Sequence, residues 1–123
     1  MAKYFFVMGS ISAFLAVVLG AFAAHMLKAK LPADLFNIWE VGVRYHLFHA
    51  FGLFIVAWAT TQWHEVNFVP AGWLFVAGTI IFSGSLYILS VTGIRWIGSI
   101  TPFGGICFLG GWFWLAWAMW RSR

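Results

Sequence analysis

The chain has 123 residues, of which 63% are hydrophobic and only 8% are charged. A soluble domain carries about 25% charged residues because its surface faces water, so this composition excludes a soluble globular domain. The formal net charge of +4 arises from 7 basic and 3 acidic residues without a basic run, which argues against nucleic-acid binding and indicates contact with lipid headgroups.

Four apolar stretches are each long enough to cross a bilayer. A hydrocarbon core about 30 Å thick requires about 20 apolar residues in a helix. The stretches are residues 4–26, 42–61, 69–91 and 97–120, and none of them contains an acidic residue. We therefore predict an all-α fold, an integral membrane four-helix bundle, in which residues 1–123 form a single transmembrane domain.

The first span carries a continuous stripe of small residues. Gly9, Ala13, Ala16, Gly20 and Ala23 follow one another at spacings of three or four residues, which places them on one face of a helix. Lipid tails provide no hydrophobic force between helices, so association relies on close packing, which small residues permit. We expect this stripe to contact another helix of the bundle.

The connection at residues 27–41 is too polar to cross the membrane. Asp34 is favourable in the first turn of a helix because of the helix dipole. Leu35, Ile38 and Trp39 follow as an apolar stripe. We predict a short amphipathic helix that lies in the membrane interface and runs into the second span.

Four spans place both termini on one side of the membrane, here side A, together with the 62–67 turn. Side B then carries the 27–41 connection and the 92–96 turn. Tryptophans lie at the ends of the spans, as in the usual interfacial belt: Trp63, Trp73, Trp117 and Trp120 on side A, Trp39 and Trp96 on side B. Basic residues are slightly more numerous on side B, which favours periplasmic termini.

Polar residues within the spans gather in the half of the bilayer nearer to side B. An up-and-down order of helices brings this set together, and unpaired polar groups cost free energy in hydrocarbon. We therefore expect the set to face the bundle interior. Its members are His25, Tyr45, His46, His49, Ser83, Ser85 and Tyr87.

This intramembrane polar cluster has three interpretations. Its groups can tie the helices together by hydrogen bonds, or the histidines can handle protons or ions. Alternatively they can bind a metal, for which His25, His46 and His49 are the candidate ligands. No carboxylate lies within a span, so we expect no catalytic residue of the Ser-His-Asp kind, and the residues identify no cofactor.

Five short motifs carry a resemblance to a known family. They are residues 20–25 (GAFAAH), 45–50 (YHLFHA), 82–87 (FSGSLY), 101–105 (TPFGG) and 111–112 (GW). In this order they resemble the YgdD-like family of small bacterial inner-membrane proteins, and the resemblance covers essentially the whole chain. It implies a four-helix protein of the bacterial inner membrane and supplies no activity.

The resemblance also bears on the cluster. It carries over the positions of His25, His49, Ser83, Ser85 and Tyr87, whereas members of the family can carry Gln where this chain has His46.

We expect a non-enzymatic integral membrane protein, an accessory or assembly subunit of a larger membrane complex. The alternatives are a transporter, channel or proton-handling protein that uses the polar cluster, and a metal- or quinone-binding redox subunit. The expected partners are the lipid bilayer and other membrane subunits or further copies of the chain, without nucleic acid.

Overall fold

The computed structural model describes residues 1–123 and contains four long helices and no strand. These are α1 (Ala2–Leu27), α2 (Ala33–Gln62), α3 (Val69–Thr92) and α4 (Arg95–Arg121), each long and apolar enough to cross a membrane. The prediction of an all-α membrane protein with four spanning helices is confirmed.

The connection before α2 differs from the prediction. Residues 33–41 do not form a separate helix, because α2 runs without a break through 30 residues from Ala33, with Asp34 in its first turn. At 1.5 Å per residue this helix is about 45 Å long, whereas the hydrocarbon core is about 30 Å thick. The first turns of α2 therefore extend beyond the core along the helix axis.

Trp39 joins these first turns of α2 to α1. It was expected in the interfacial belt, but the side chain is only 5% exposed and packs against Ala23 and Leu27 of α1. Its Nε1 donates a hydrogen bond to the carbonyl oxygen of Leu19 at 3.1 Å. The last turn of α1, Ala23–Leu27, is widened to a π-helical turn beside it. The small side chain of Ala23 leaves room for the indole, so Trp39 packs between helices and does not face lipid.

The small stripe of α1 packs on α2, as its composition predicts. A Cβ atom added to Gly9 would lie 3.1 Å from the carbonyl oxygen of Ala50, and one added to Gly20 would lie 3.3 Å from Cγ1 of Val43. Ala16 of the stripe is also buried. The backbones of α1 and α2 therefore approach closely along most of their length.

Phenylalanine rings packed on glycines join the other helices. The ring of Phe5 from α1 lies over Gly72 of α3, and the ring of Phe108 from α4 lies over Gly78 of α3. Phe75 of α3 fills the space beside Gly111 of α4. These rings belong to one hydrophobic core shared by all four helices. They place α3 between α2 and α4, while α1 flanks α2.

One ion pair links two helices at side B. The guanidinium of Arg95, at the start of α4, is hydrogen-bonded to the Asp34 carboxylate at the start of α2, and both side chains are exposed. This hydrogen bond holds the pKa of the Asp34 carboxyl below its ordinary value.

Candidate functional site

A lateral cleft of about 440 Å³ opens between α1 and α3, with α2 at its base. Near side A, α1 meets α3 through Phe5, whose ring packs against Trp73. Towards side B, the ring of Trp39 from α2 packs on the ring of Tyr87 from α3, with centroids 4.6 Å apart. The cleft lies between these two contacts. The cleft is lined by Met8, Ile11, Ser12, Leu15, His46, Leu53, Val76, Thr79, Ile80, Ser83, Gly84 and Tyr87.

The polar end of the cleft is formed by His46 and Tyr87. Nδ1 of His46 lies 3.0 Å from the Tyr87 hydroxyl, and this is the only hydrogen bond of the imidazole ring. His46 is only 6% exposed, yet it lines the cleft. The second ring nitrogen, Nε2, therefore has no partner within the protein and is available to a molecule in the cleft.

Two hydroxyls of the cleft wall are also unpaired. Every other serine and threonine hydroxyl in the chain takes part in a hydrogen bond. The exceptions are Ser12 on α1 and Thr79 on α3, and both line the cleft. Oγ1 of Thr79 is buried without a partner. Because an unpaired hydroxyl in an apolar setting costs free energy, their coincidence in one cleft indicates a binding site.

The Thr79 hydroxyl lies where α3 changes its winding. Residues Thr79–Ser83 form a π-helical turn, a feature that frequently occurs at functional sites. At the end of this turn, Ser83 donates a hydrogen bond to the carbonyl oxygen of Gly42 at 2.7 Å. Ser83 therefore fastens α3 to α2, whereas the Thr79 hydroxyl has no partner in the protein.

His49 belongs to a different place, the contact between α2 and α4. Its Nδ1 lies 2.8 Å from the carbonyl oxygen of Tyr45, which can only accept, so Nδ1 carries the proton. Nε2 then accepts a hydrogen bond from Nε1 of Trp112 at 3.0 Å. The ring also stacks on Phe108, with centroids 3.5 Å apart. Both nitrogens are used, so His49 offers no lone pair to a metal or a proton.

The remaining members of the predicted cluster are spread over the molecule. His25 lies in the π-helical turn of α1, where it is exposed. Tyr45 is 38% exposed, and its ring packs on Phe82. Oγ of Ser85 lies 2.6 Å from Oγ1 of Thr101, which ties α3 to α4.

The histidines therefore do not converge. The structure contains no group of three His, Cys, Asp or Glu residues that could hold a metal ion, which argues against the interpretation of His25, His46 and His49 as ligands of one metal. Although His46 and His49 are close in sequence, the first meets α3 and the second meets α4. Only His46, Ser83 and Tyr87 of the predicted set line the cleft.

The sequence reasoning missed Ser12, Thr79 and Trp112. Ser12 adjoins the small stripe of α1, and Thr79 precedes Ser83 by four residues, one helical turn, so both positions carried a signal. Trp112 lies in a motif of the family resemblance, but nothing in the sequence distinguishes its indole from the others.

Similarity to known proteins covers most of the chain. Residues 19–105 match the family described as "Protein of unknown function (DUF423)". The chain is 50% identical over 111 residues to the UPF0382 membrane protein YwdK of Bacillus subtilis, covering 89% of this chain and 90% of that protein. It is 45% identical over 111 residues to the UPF0382 membrane protein SSP2132 of Staphylococcus saprophyticus, covering 89% of this chain and 91% of that protein.

No solved structure matches the chain. The relatives are named membrane proteins, which agrees with four apolar helices long enough to span a bilayer. The chain belongs to the DUF423 family of UPF0382 membrane proteins.

Proposed function

We propose that the protein binds a small lipid-soluble molecule in the cleft between α1 and α3. The observation that carries this proposal is the coincidence of three unpaired polar groups there. These are the hydroxyls of Ser12 and Thr79 and Nε2 of His46, in a chain whose other serine and threonine hydroxyls are all paired. A ligand that pairs with them would remove the cost of leaving them unsatisfied.

The bilayer itself provides the route to this cleft. Ile11 of α1 and Ile80 of α3 line the cleft and are also 55% and 68% exposed. These side chains face the hydrocarbon when the helices span a membrane. A lipid-soluble molecule can therefore enter sideways between the two helices without crossing an aqueous boundary.

We propose that binding is not accompanied by catalysis. His46 is the one imidazole that lines the cleft, and no aspartate or glutamate lines it that could orient this ring or balance a charge on it. In Ser-His-Asp enzymes the histidine that acts as the general base is held by such a carboxylate, so we assign His46 to binding.

The test uses a variant that fills the cleft without disturbing the fold. Gly84 lines the cleft, and a Cβ atom added there meets nothing within 4 Å. Gly84→Leu should therefore occupy ligand space at no backbone cost. Gly105→Leu is the matched control, because Gly105 of α4 lies outside the cleft. A Cβ atom added there meets only a ring carbon of Phe82, at 4.0 Å.

Native mass spectrometry after mild detergent extraction gives the readout. The wild type and Gly105→Leu should carry a bound small molecule that Gly84→Leu lacks. Equal occupancy in all three proteins, or none in the wild type, would exclude the cleft as the binding site.

A second candidate function is an accessory or assembly subunit of a larger membrane complex. It is favoured by how little of the chain lies outside the helices, since the connections at residues 28–32, 63–68 and 93–94 are all short. We propose that other membrane subunits or further copies of the chain are its partners. Copurification after crosslinking in intact membranes tests this, and a protein recovered only as a monomer would count against it.

We propose the bacterial inner membrane as the location, with both termini periplasmic. The support is three basic residues near side A against four near side B. Cysteine labelling at residue 122 from outside the cell tests the orientation. We also propose that the YgdD-like proteins belong to this same family, since four of the five motifs of that resemblance lie within residues 19–105.

A further inference from the structure

We infer that the molecule bound in the cleft has an uncharged head group with carbonyl or hydroxyl oxygens, on an apolar tail. This inference rests on the proposed function, because it specifies the chemistry of the ligand that the cleft accepts. It is carried by the His46–Tyr87 pair and by the absence of charge around it.

The His46–Tyr87 pair can present a donor and an acceptor in either of two arrangements. When Nδ1 of His46 donates to the Tyr87 oxygen, Nε2 is an acceptor and the Tyr87 O–H is free to donate. When the Tyr87 O–H donates to Nδ1, Nε2 carries the proton and the Tyr87 oxygen is free to accept. The pair therefore fits a carbonyl, which only accepts, as well as a hydroxyl, which does both.

Ser12 is a further hydroxyl-bearing residue of the cleft, and it lies on α1, across from Tyr87 on α3. Its hydroxyl makes no hydrogen bond within the protein, whereas Oγ1 of Thr79 on α3 is buried. A hydroxyl can donate or accept, as the His46–Tyr87 pair can. The inferred head group therefore has at least two oxygens, one for the pair and one for Ser12.

The lining excludes a charged head group. It contains no lysine, arginine, aspartate or glutamate, and a charge in an apolar setting is costly unless a counter-charge pairs with it. A carboxylate or phosphate head would lie in the cleft without such a partner. Two membrane-soluble classes have the required neutral oxygens and an apolar tail, the prenylated quinones with their quinols and the diacylglycerols.

The experiment measures binding of defined probes to the protein in nanodiscs of neutral lipid. The probes are a short-chain prenylquinone, its quinol, dioleoylglycerol and, as the charged comparison, oleate. Wild-type protein should bind at least one neutral probe more tightly than oleate. Whether the protein binds the prenylquinone or dioleoylglycerol more tightly then identifies the class of molecule that supplies the head group.

Variants of the pair provide the second readout. His46→Gln retains a donor and an acceptor and should bind the neutral probe like the wild type. His46→Leu and Tyr87→Phe should each weaken binding about three- to tenfold, as expected for one lost hydrogen bond. Tyr45→Phe is the matched control, because the Tyr45 ring packs on Phe82 outside the cleft. Melting temperatures in detergent show whether each variant is folded.

The outcomes separate the inference from the function on which it rests. If oleate binds as tightly as the neutral probes and Gly84→Leu blocks both, the cleft is a binding site but the inferred head group is wrong. If Gly84→Leu binds every probe like the wild type, the proposed function itself is wrong. Unchanged binding in folded His46→Leu and Tyr87→Phe would show that the pair does not contact the ligand.

Discussion

Trp112 of α4 donates a hydrogen bond to Nε2 of His49 on α2 at 3.0 Å, while the other nitrogen of the same imidazole is held by the Tyr45 carbonyl oxygen. The histidine is thereby fixed as a neutral ring with its proton on Nδ1. This contact joins two helices, which is the first of the three interpretations of the cluster, and it leaves the ring with no nitrogen for a metal or a proton.

The His49–Trp112 contact predicts different outcomes for two substitutions at His49. Gln can still accept from the indole, so His49→Gln should lose little stability, whereas His49→Leu leaves the Trp112 N–H unpaired and should cost about 1–3 kcal/mol. Unfolding in detergent measures the difference. In a double-mutant cycle, Trp112→Phe should relieve part of the cost of His49→Leu, and strictly additive effects would show that the hydrogen bond does not contribute.

The contact between α1 and α2 predicts strong sensitivity at Gly9. A leucine there would press against the Ala50 carbonyl oxygen, because even a Cβ atom lies at 3.1 Å. Overpacking of this kind typically costs about 1–3 kcal/mol, so Gly9→Leu should melt at a lower temperature in detergent. Gly84→Leu is the internal comparison, since its Cβ meets nothing within 4 Å. Equal melting of both variants would contradict the close approach of α1 to α2.

The burial of Trp39 predicts that its indole nitrogen contributes to stability. Trp39→Phe removes the hydrogen bond to the Leu19 carbonyl oxygen and should lower the free energy of unfolding by about 0.5–1.5 kcal/mol. Trp96→Phe is the control, because Trp96 is 68% exposed. The two variants should differ in melting temperature, and an identical shift would indicate that Trp39 also faces the headgroups.

The Asp34–Arg95 ion pair predicts that the stability of the fold depends on pH only in the acid range. The pKa of Asp34 is lowered in the folded protein from its ordinary value of 3.8, so the pair stabilises the fold above that value. This stabilisation is lost as the pH falls through the lowered pKa. Comparing melting temperatures of wild type and Asp34→Asn from neutral to strongly acidic pH tests this, since their difference should shrink towards zero. A difference that persists in acid would point to another role for Asp34.

The spans could be predicted because a bilayer imposes a length and a polarity on each segment. The contact face of α1 could be predicted for a similar reason, as Gly9 and Gly20 permit an approach that large side chains prevent. Both depend on local composition. The structure adds only which helix lies opposite.

The division of the polar cluster could not be predicted in the same way. Depth in the bilayer follows from position along a span, but direction around the helix matters only relative to neighbours that the sequence does not locate. His46 and His49 share a depth and a helix, yet Tyr87 lies beside one and Trp112 beside the other. The unpaired hydroxyl of Thr79 could not be predicted, because most intramembrane hydroxyls form a hydrogen bond within their own helix, as Thr60 does with the Val56 carbonyl oxygen.

The π-helical turn at Thr79–Ser83 has a consequence for the phase of α3. Such a turn acts as the insertion of one residue into an α-helix, and each residue advances the helix by about 100°. The half of α3 that carries Tyr87 is therefore rotated relative to the half that carries Phe75, and a single helical wheel cannot describe both. A homologous chain one residue shorter in this turn would keep a continuous helix and its aromatic core, yet it would turn the tyrosine away from the imidazole. The alignment of these two groups depends on the length of a segment as well as on the identity of its residues.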